Sequence, residues 1–295
     1  MRCINMKNSR KILLLFLVLG VVFVLSGCNT THYTQPLDAD GGFTWVQWIV
    51  RRIADLIYFV SNLAGGYYVI GLLVITVLIR VLGWPIYAKT NNLSANMQIA
   101  QPDMEKVKQK YQGKTDQASQ RAQQQEMMAV YKEYGINPLG CLLPLLQMPI
   151  FIAMYQTVRR IPLTERFDSL NFNFLIFDFK AEPKGSFYDL SEFSHNWPFL
   201  FFAIIVGLTM FFYQRYAMTK PDILQNKKYR TAQQEQSEKT MKYMSYFMVF
   251  MLVIIAYTNL GIAFYWIIGN LFQFVQTHIN RKQMIQRLEE RKSRI

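Results

Sequence analysis

The sequence predicts an all-α membrane protein in which five transmembrane helices surround an inward-open hydrophilic groove, together with a cytoplasmic helical hairpin and an outer interfacial amphipathic helix. The first observation is composition: 52% of the 295 residues are hydrophobic and 17% are charged, whereas a soluble domain of this size carries more charge and shorter apolar runs. The second is that apolar residues group into stretches of about 20, the length with which a helix crosses the hydrocarbon core. The third is the distribution of Lys and Arg between those stretches.

Residues 1–27 are predicted to be a signal peptide, because basic residues precede an apolar run from Ile12 to Leu25. The residues from Leu25 to Cys28 read LSGC and resemble the lipobox of bacterial lipoproteins. In that motif the cysteine is acylated and becomes the new amino terminus, so Cys28 is the predicted lipid-modified residue. The alternative is an uncleaved anchor with an incidental cysteine.

Five apolar stretches after the signal peptide are long enough to span a membrane. They cover residues 67–87, 138–158, 197–216, 242–257 and 260–279. Residues 88–136, 215–242 and 280–295, on one side of these spans, hold twenty Lys and Arg, and residues 28–66 and 159–196, on the other side, hold seven. Cytoplasmic segments carry the excess of Lys and Arg, which predicts a multi-pass protein of the cell membrane with its amino terminus outside and its carboxyl terminus in the cytoplasm.

The outer segments are residues 28–66 and the loop 159–196. Within the first, residues 43–60 place tryptophans and aliphatic residues at helical spacing, with two arginines and an aspartate on another face. This pattern is typical of a helix that lies in the membrane interface. A sixth span is the alternative for this segment.

The cytoplasmic segments are residues 88–136, the loop 217–241 and the basic tail 280–295. Residues 88–136 are rich in Gln, Lys and Glu, have a thin apolar seam, and are interrupted by Gly113 in YQGKTD. Two amphipathic helices folded back on each other are the natural interpretation.

The sequence contains few groups that could catalyse a reaction. His32, His195 and His278 are scattered, and the sequence has no HExxH, CxxC or GxSxG motif and no pair of carboxylates within a span. The spans carry amides, hydroxyls and one guanidinium, which bind well but are poor general acids and bases. We therefore expect a protein that is not an enzyme and that uses no metal or cofactor.

Arg80 is the one charge inside the first predicted span, in GLLVITVLIRVLGWPIY (residues 71–87). A guanidinium stays ionised, and placing it in hydrocarbon costs from about 2.5 kcal/mol to several times that. At 1.5 Å per residue, Arg80 lies about 10 Å from the cytoplasmic end of the span. It either extends toward the headgroups or faces a water-filled cavity between the helices.

Polar residues in the other spans favour the cavity. In the fifth span, Trp266, Asn270 and Gln273, followed by Gln276 or Thr277, recur on one helical face. The second span contributes Gln147 and the third contributes Gln214. A single amide in a span most often makes a hydrogen bond to a neighbouring helix, but together these residues predict a hydrophilic pocket that opens inward and ends partway across the membrane.

Two stretches of the sequence resemble the YidC/Oxa/Alb membrane protein insertases. They are NPLGCLLPLLQMPIFIAMYQTVR (residues 137–159) and GIAFYWIIGNLFQFVQTHIN (residues 261–280), which are similar to the second and last transmembrane segments of the family. Arg80, before GWP, is similar to the arginine of the family's first core segment, and the NFLIFDF segment of the outer loop and the lipobox are similar to the Gram-positive members. We expect no large outer domain of the kind found in Gram-negative members.

The resemblance implies that the protein inserts and helps to fold nascent membrane proteins without hydrolysing a nucleotide, alone or beside the Sec translocon. It implies that Arg80 is the groove arginine and, less directly, that Gln147, Gln214 and Trp266 line the groove, with Asn270 and Gln273 as further candidates. It also identifies residues 88–136 as the mobile cytoplasmic hairpin of the family.

Further partners are expected at the cytoplasmic side. The hairpin and the tail RKQMIQRLEERKSRI could bind a ribosome or components of the signal recognition particle, because basic segments bind polyphosphate. Membrane lipids with anionic headgroups are the simpler partner.

The alternative function is a channel or small-solute transporter, which should show repeat symmetry and a polar route through the outer leaflet. The outer halves of the spans are almost purely apolar, which argues against it. A structural scaffold is a third possibility, but it leaves the polar stripe unexplained.

Overall fold

The computed structural model describes residues 35–37, 45–137, 147–185, 190–219 and 232–292. The predicted signal peptide and Cys28 lie outside the described residues. The same holds for the first part of the predicted span 138–158 and for about half of the predicted loop 217–241.

The described part of the chain is mostly helical, as predicted. Its α-helices are α1 (Trp45–Leu63), α2 (Tyr68–Leu82), α3 (Trp84–Lys110), α4 (Gln117–Glu133), α5 (Gln147–Arg160), α6 (Phe193–Met218), α7 (Ala232–Tyr257) and α8 (Leu260–Lys292). Short 3₁₀ turns occupy Ile161–Leu163, Glu165–Phe167 and Leu190–Glu192. A small antiparallel hairpin pairs β1 (Asn173–Phe174) with β2 (Phe177–Asp178).

Two helices in the described ranges are long and apolar enough to cross a membrane, namely α6 and the part of α7 from Lys239 to Tyr257. A third span results if α2 and the start of α3 (Trp84–Leu93) are counted as one broken span. Together they are long and apolar enough, but their axes are bent by 51° at the break between them. The architecture is thus that of an all-α membrane protein with two or three candidate spans. The arrangement of five spans stays a prediction.

The bend between α2 and α3 has a local cause. Gly83 ends α2, with its N–H donating to the carbonyl oxygen of Ile79 at 2.9 Å, and Pro85 lies in the first turn of α3, where a missing N–H is tolerated. The predicted span 67–87 is therefore interrupted after Leu82. The bend brings Tyr87, in the first turn of α3, back to within hydrogen-bond distance of Arg80.

The segment predicted to be interfacial forms α1, which packs against α2 and α5. Its buried residues Val50, Ala54, Ile57 and Ser61 recur every three or four positions. The two helices come close at Gly71 of α2, where a Cβ would lie 2.6 Å from the carbonyl oxygen of Ile57. Only glycine allows the two backbones to come this near.

Residues 88–136 contain most of α3 and all of α4, joined by a turn at Gly113, whose φ of +80° favours glycine. The Asp116 carboxylate caps α4 by accepting from the Ser119 N–H at 2.8 Å. A small apolar seam between the two helices is centred on Ala100 and Val130.

The first residues of the described chain lie against the end of α5. Arg160 is fully buried and donates from Nε to the carbonyl oxygen of Gln35 at 2.9 Å and from Nη2 to that of Pro36 at 2.8 Å. The N–H of Leu37 donates to the Thr164 hydroxyl at 2.9 Å. Residues 35–37, called the strap below, are thus held by buried polar groups at the end of α5 and just after it.

Candidate functional site around Arg80

Arg80 lies in the last turn of α2, half-buried, and its surroundings are aromatic. Its Nη1 donates to the Tyr87 hydroxyl at 3.2 Å. Its Cζ lies 5.8 Å from the centre of the Tyr87 ring and 6.0 Å from that of the Tyr265 ring on α8. Aromatic faces at this distance attract a cation without neutralising it. Within the described ranges no carboxylate forms an ion pair with Arg80.

The guanidinium also contacts α8 directly, at Gly269. A Cβ at this position would lie 3.1 Å from the Arg80 Cζ and 3.3 Å from its Nε, and closer still to Nη2. The absence of a side chain at Gly269 is therefore what makes room for the guanidinium against α8. The guanidinium of α2 is thus in contact with two other helices, α3 and α8.

Asn270 and Gln273 make hydrogen bonds to α6. The Asn270 amide donates to the Thr209 hydroxyl at 3.3 Å, and the Gln273 amide donates to the Tyr213 hydroxyl at 3.0 Å. Both amides are half-buried. These hydrogen bonds connect α8 to α6. Arg80 of α2 instead lies against Gly269, and no hydrogen bond joins it to either amide.

The other predicted groove residues lie at different helix contacts. Trp266 is buried and stacks on Phe151 of α5, with ring centres 6.0 Å apart and planes at 12°. Gln214 of α6 accepts a hydrogen bond from the Ser245 hydroxyl of α7. Gln147 begins α5, and its side chain lies outside what the structure describes.

A second group of amides on α8 has atoms without a partner among the described residues. Gln276 is 1% exposed, and within this part of the chain neither its amide nitrogen nor its oxygen has a hydrogen-bond partner; the same holds for Nδ2 of the buried Asn280. Gly269, Gln276 and Asn280 are seven and four residues apart, which places them on one face of the helix. An unpaired buried amide costs about 1–3 kcal/mol, so these atoms favour contact with water or another polar group.

Sequence reasoning missed Tyr87, Tyr265 and Gly269 as neighbours of Arg80. Tyr87 is seven residues from Arg80, which is about 10 Å along an unbroken helix. The bend at Gly83 brings the Tyr87 hydroxyl within hydrogen-bond distance of the guanidinium. Gly269 directly precedes Asn270, but a glycine within an apolar span is usually read as a helix-packing position, and nothing in the sequence pairs it with an arginine.

Among the described residues, no group of three or more His, Cys, Asp or Glu is arranged to hold a metal ion. The polar neighbours of Arg80 belong to Tyr87 and Tyr265, and amides and hydroxyls pair α8 with α6 nearby along the helix. They can bind and orient a polar or acidic chain.

The sequence matches the family described as 60Kd inner membrane protein over residues 59–287. It is 31% identical over 272 residues to membrane protein insertase MisCA of Bacillus subtilis, with 92% of this chain and 91% of the relative covered. It is 32% identical over 270 residues to membrane protein insertase YidC 2 of Listeria innocua (91% and 82%). It is 31% identical over 284 residues to membrane protein insertase YidC 1 of Bacillus anthracis (95% and 96%). The resemblance seen in the sequence motifs is thereby confirmed, and the chain belongs to the 60Kd inner membrane protein family, that is, to the YidC/Oxa/Alb family.

Proposed function

We propose that this protein is a membrane protein insertase that inserts and folds nascent membrane proteins in the cell membrane. Apart from the similarity to known insertases, the observation that supports the proposal is the environment of Arg80. Its charge lies in an apolar helix without an ion-pair partner in the described ranges, and a glycine makes room for it against the neighbouring helix. A cation kept in this way at a cost in solvation free energy marks a functional site.

The proposed arrangement has five spans with a lipid-modified Cys28 outside and the tail 280–295 in the cytoplasm. The excess of Lys and Arg in the predicted cytoplasmic segments supports this orientation. It also agrees with the lipobox, since a lipoprotein amino terminus must be exported. Arg80 then lies in the inner half of the membrane.

The proposed mechanism is a hydrated half-channel. A single-span substrate must move a polar outer tail across hydrocarbon, where unpaired polar groups cost several kcal/mol each. A polar groove that is open to the cytoplasm keeps the tail hydrated through the inner leaflet and shortens the dry path. Arg80 attracts acidic residues of the tail, because charges interact more strongly at a reduced dielectric than in bulk water. The apolar helix of the substrate then leaves sideways into lipid.

Two sets of side chains support hydration of the groove. Asn270 and Gln273 each donate a hydrogen bond to α6, and both side chains are still partly exposed, so water can reach them. Gln276 and Asn280, on the face that contains Gly269, have buried amide atoms without a partner in the described ranges. Water would satisfy these groups, and a buried water usually makes about three hydrogen bonds to such polar atoms.

The proposed partners are nascent membrane proteins, the Sec translocon and membrane lipids. The hairpin at residues 88–136 and the tail are proposed to contact a ribosome or components of the signal recognition particle. For the hairpin, the exposure of the Lys and Arg side chains of α3 and α4 supports this. A channel or small-solute transporter is the alternative.

The test is reconstitution of the purified full-length protein in liposomes, without nucleotide or other proteins. Insertion of a single-span substrate with a short acidic outer tail is expected, measured by protection of the tail from added protease. Flux of small solutes without insertion would contradict the proposal and favour the transporter.

A further inference from the structure

The β1–β2 hairpin ends in two exposed aliphatic residues. Leu175 is 82% exposed and Ile176 is 74% exposed, and together they form the two-residue turn between the paired residues Phe174 and Phe177. Turns of this kind normally carry Gly, Asn or Asp. Two large apolar side chains at such a position are unfavourable in water.

The backbone of this turn is strained. Leu175 has a φ of +56° and, within the described ranges, is the one residue other than glycine with a positive φ. A Cβ disfavours this conformation, so glycine or asparagine would fit better. Strain of this kind persists where the surrounding structure imposes it, and it often marks a functional position.

An aromatic cluster holds the base of the hairpin. The Phe177 ring lies 5.6 Å from Trp197 and 6.0 Å from Phe201 of α6, and it makes an edge contact with Phe202 at 5.0 Å. Two residues further along the chain, the Phe179 ring contacts that of Phe264 of α8, with the ring centres 5.8 Å apart. The hairpin is therefore anchored to two helices, and the position of its tip is defined.

The tip continues an apolar surface of α6. Phe201, Ile204, Leu208 and Phe212 are 46–60% exposed and are spaced by three and four residues, so they form one face of this candidate span. A face of this kind on a membrane-spanning helix contacts lipid. Phe177 stacks on Phe201, the first member of this face, with the ring planes at 10°, and Trp197 beside it is a residue type enriched at the membrane interface.

We propose that Leu175 and Ile176 insert into the lipid leaflet at the amino-terminal end of α6, where they anchor the connection between α5 and α6. The occupant of this surface is lipid, because the tip extends a face that is already exposed to lipid. In the proposed orientation this is the outer leaflet. The inference requires that α6 crosses the membrane, and it does not require insertase activity.

The test places an environment-sensitive fluorescent amino acid at position 176 of the full-length protein in pure lipid vesicles. A matched control places the same probe at Glu182, an exposed polar position of the same loop. At position 176 we expect quenching by nitroxide-labelled lipid and protection from aqueous iodide, and at position 182 the reverse. Equal iodide quenching at the two positions would overturn the proposal. Protection at 176 that occurs only in native membranes, and not in lipid vesicles, would indicate a protein partner and would also overturn it.

A second variant separates lipid contact from folding. Leu175→Gly with Ile176→Asn relieves the strained φ and suits the turn, so the hairpin should form as well as before. The probe is placed at Asn173 on β1, in this variant and in the otherwise unmodified protein. Lipid quenching should be lower in the variant than in the unmodified protein, while the circular dichroism and the thermal unfolding in detergent should be the same. Lipid quenching that persists in this folded variant would contradict a role for the two side chains. No substrate is present in either experiment, so the result is independent of the proposed insertion activity.

Discussion

The guanidinium of Arg80 lies against the backbone of Gly269, and this contact brings the charge of α2 onto α8. A side chain at position 269 would occupy the same space, since its Cβ would lie 3.1 Å from the Arg80 Cζ. The placement of the charge therefore depends on a residue that is distant in sequence and has no polar group of its own.

Gly269→Ala should displace the Arg80 guanidinium and lower the insertion of substrates with acidic tails severalfold. The helix itself should not suffer, because alanine is a better helix former than glycine by about 1 kcal/mol. Reconstituted insertion measures the effect. Gly207→Ala is the matched control, since the Cβ there would meet only a Val253 methyl at 3.0 Å. Full activity of Gly269→Ala would show that the position of the guanidinium is not critical.

Gly71→Ala should destabilise the packing of α1 on α2. The added Cβ would overlap the Ser61 side chain and lie 2.6 Å from the Ile57 carbonyl oxygen, and overpacking of this kind typically costs about 1–3 kcal/mol. We expect a lower midpoint of thermal unfolding in detergent. A second substitution, Ser61→Ala, should restore part of the loss. An unchanged midpoint for Gly71→Ala alone would mean that the two helices separate easily.

The hairpin of α3 and α4 should be weakened at low pH. Hydrogen bonds from Lys106 and Tyr134 lower the pKa of Asp103, and those from Lys110 and Tyr111 lower the pKa of Glu126. The bonds Tyr134–Asp103 (2.5 Å), Lys110–Glu126 (2.6 Å) and Tyr111–Glu126 (2.8 Å) join α3 to α4. Carboxylates with a lowered pKa stabilise the folded state above their unfolded pKa of about 4, and this contribution is lost as the pH falls through the lower folded pKa.

Distances between spin labels at Lys108 and Gln124 measure this effect in the full-length protein. The distribution should be the same at pH 6 and pH 8 and should broaden below about pH 4. The double variant Asp103→Asn, Glu126→Gln should broaden it already at pH 7. Glu133→Gln, which removes an exposed carboxylate at the end of α4, is the control. A narrow distribution in the double variant would mean that apolar contacts alone hold the hairpin.

Arg160→Met should release the strap at residues 35–37. It removes donors to the carbonyl oxygens of Gln35 and Pro36, and the loss of such bonds typically costs about 1–3 kcal/mol. We expect faster hydrogen exchange at the Leu37 amide, which donates to Thr164. Arg159→Met is the neighbouring control, since Arg159 is only half-buried and contacts Tyr155. Equal exchange in the two variants would contradict the role of Arg160.

Much of the fold follows from local sequence signals. Apolar stretches predict α6 and α7, Gly113 predicts the turn of the hairpin, and the spacing of apolar residues predicts α1, because each feature depends on neighbours along the chain. The break at Gly83 was not predicted, although Gly-Trp-Pro contains the residues that cause it, because the apolar run continues through them. An apolar pattern indicates burial and does not show where a helix bends.

The site was predicted less completely than the fold. The sequence identifies Arg80 because a charge in an apolar run is rare. It does not reveal that Asn270 and Gln273 bond to Thr209 and Tyr213 of α6, because hydroxyl partners on another helix depend on tertiary packing. Arg160 falls in the predicted outer loop 159–196, where the sequence marks it only as basic, and its burial under the strap depends on residues more than 120 positions away.

The insertion of an acidic-tailed substrate by Arg80 variants tests the central claim most directly. The measurement compares this substrate with one whose tail is neutral, in liposomes that contain Arg80→Gln, Arg80→Lys or, as a control for an exposed arginine, Arg215→Gln. Arg80→Gln should lower insertion of the acidic-tailed substrate severalfold and spare the neutral one, while Arg80→Lys and Arg215→Gln should retain most activity on both. Equal activity of Arg80→Gln and the unmodified protein on the acidic-tailed substrate, or an equal loss on both substrates, would contradict a role for the charge.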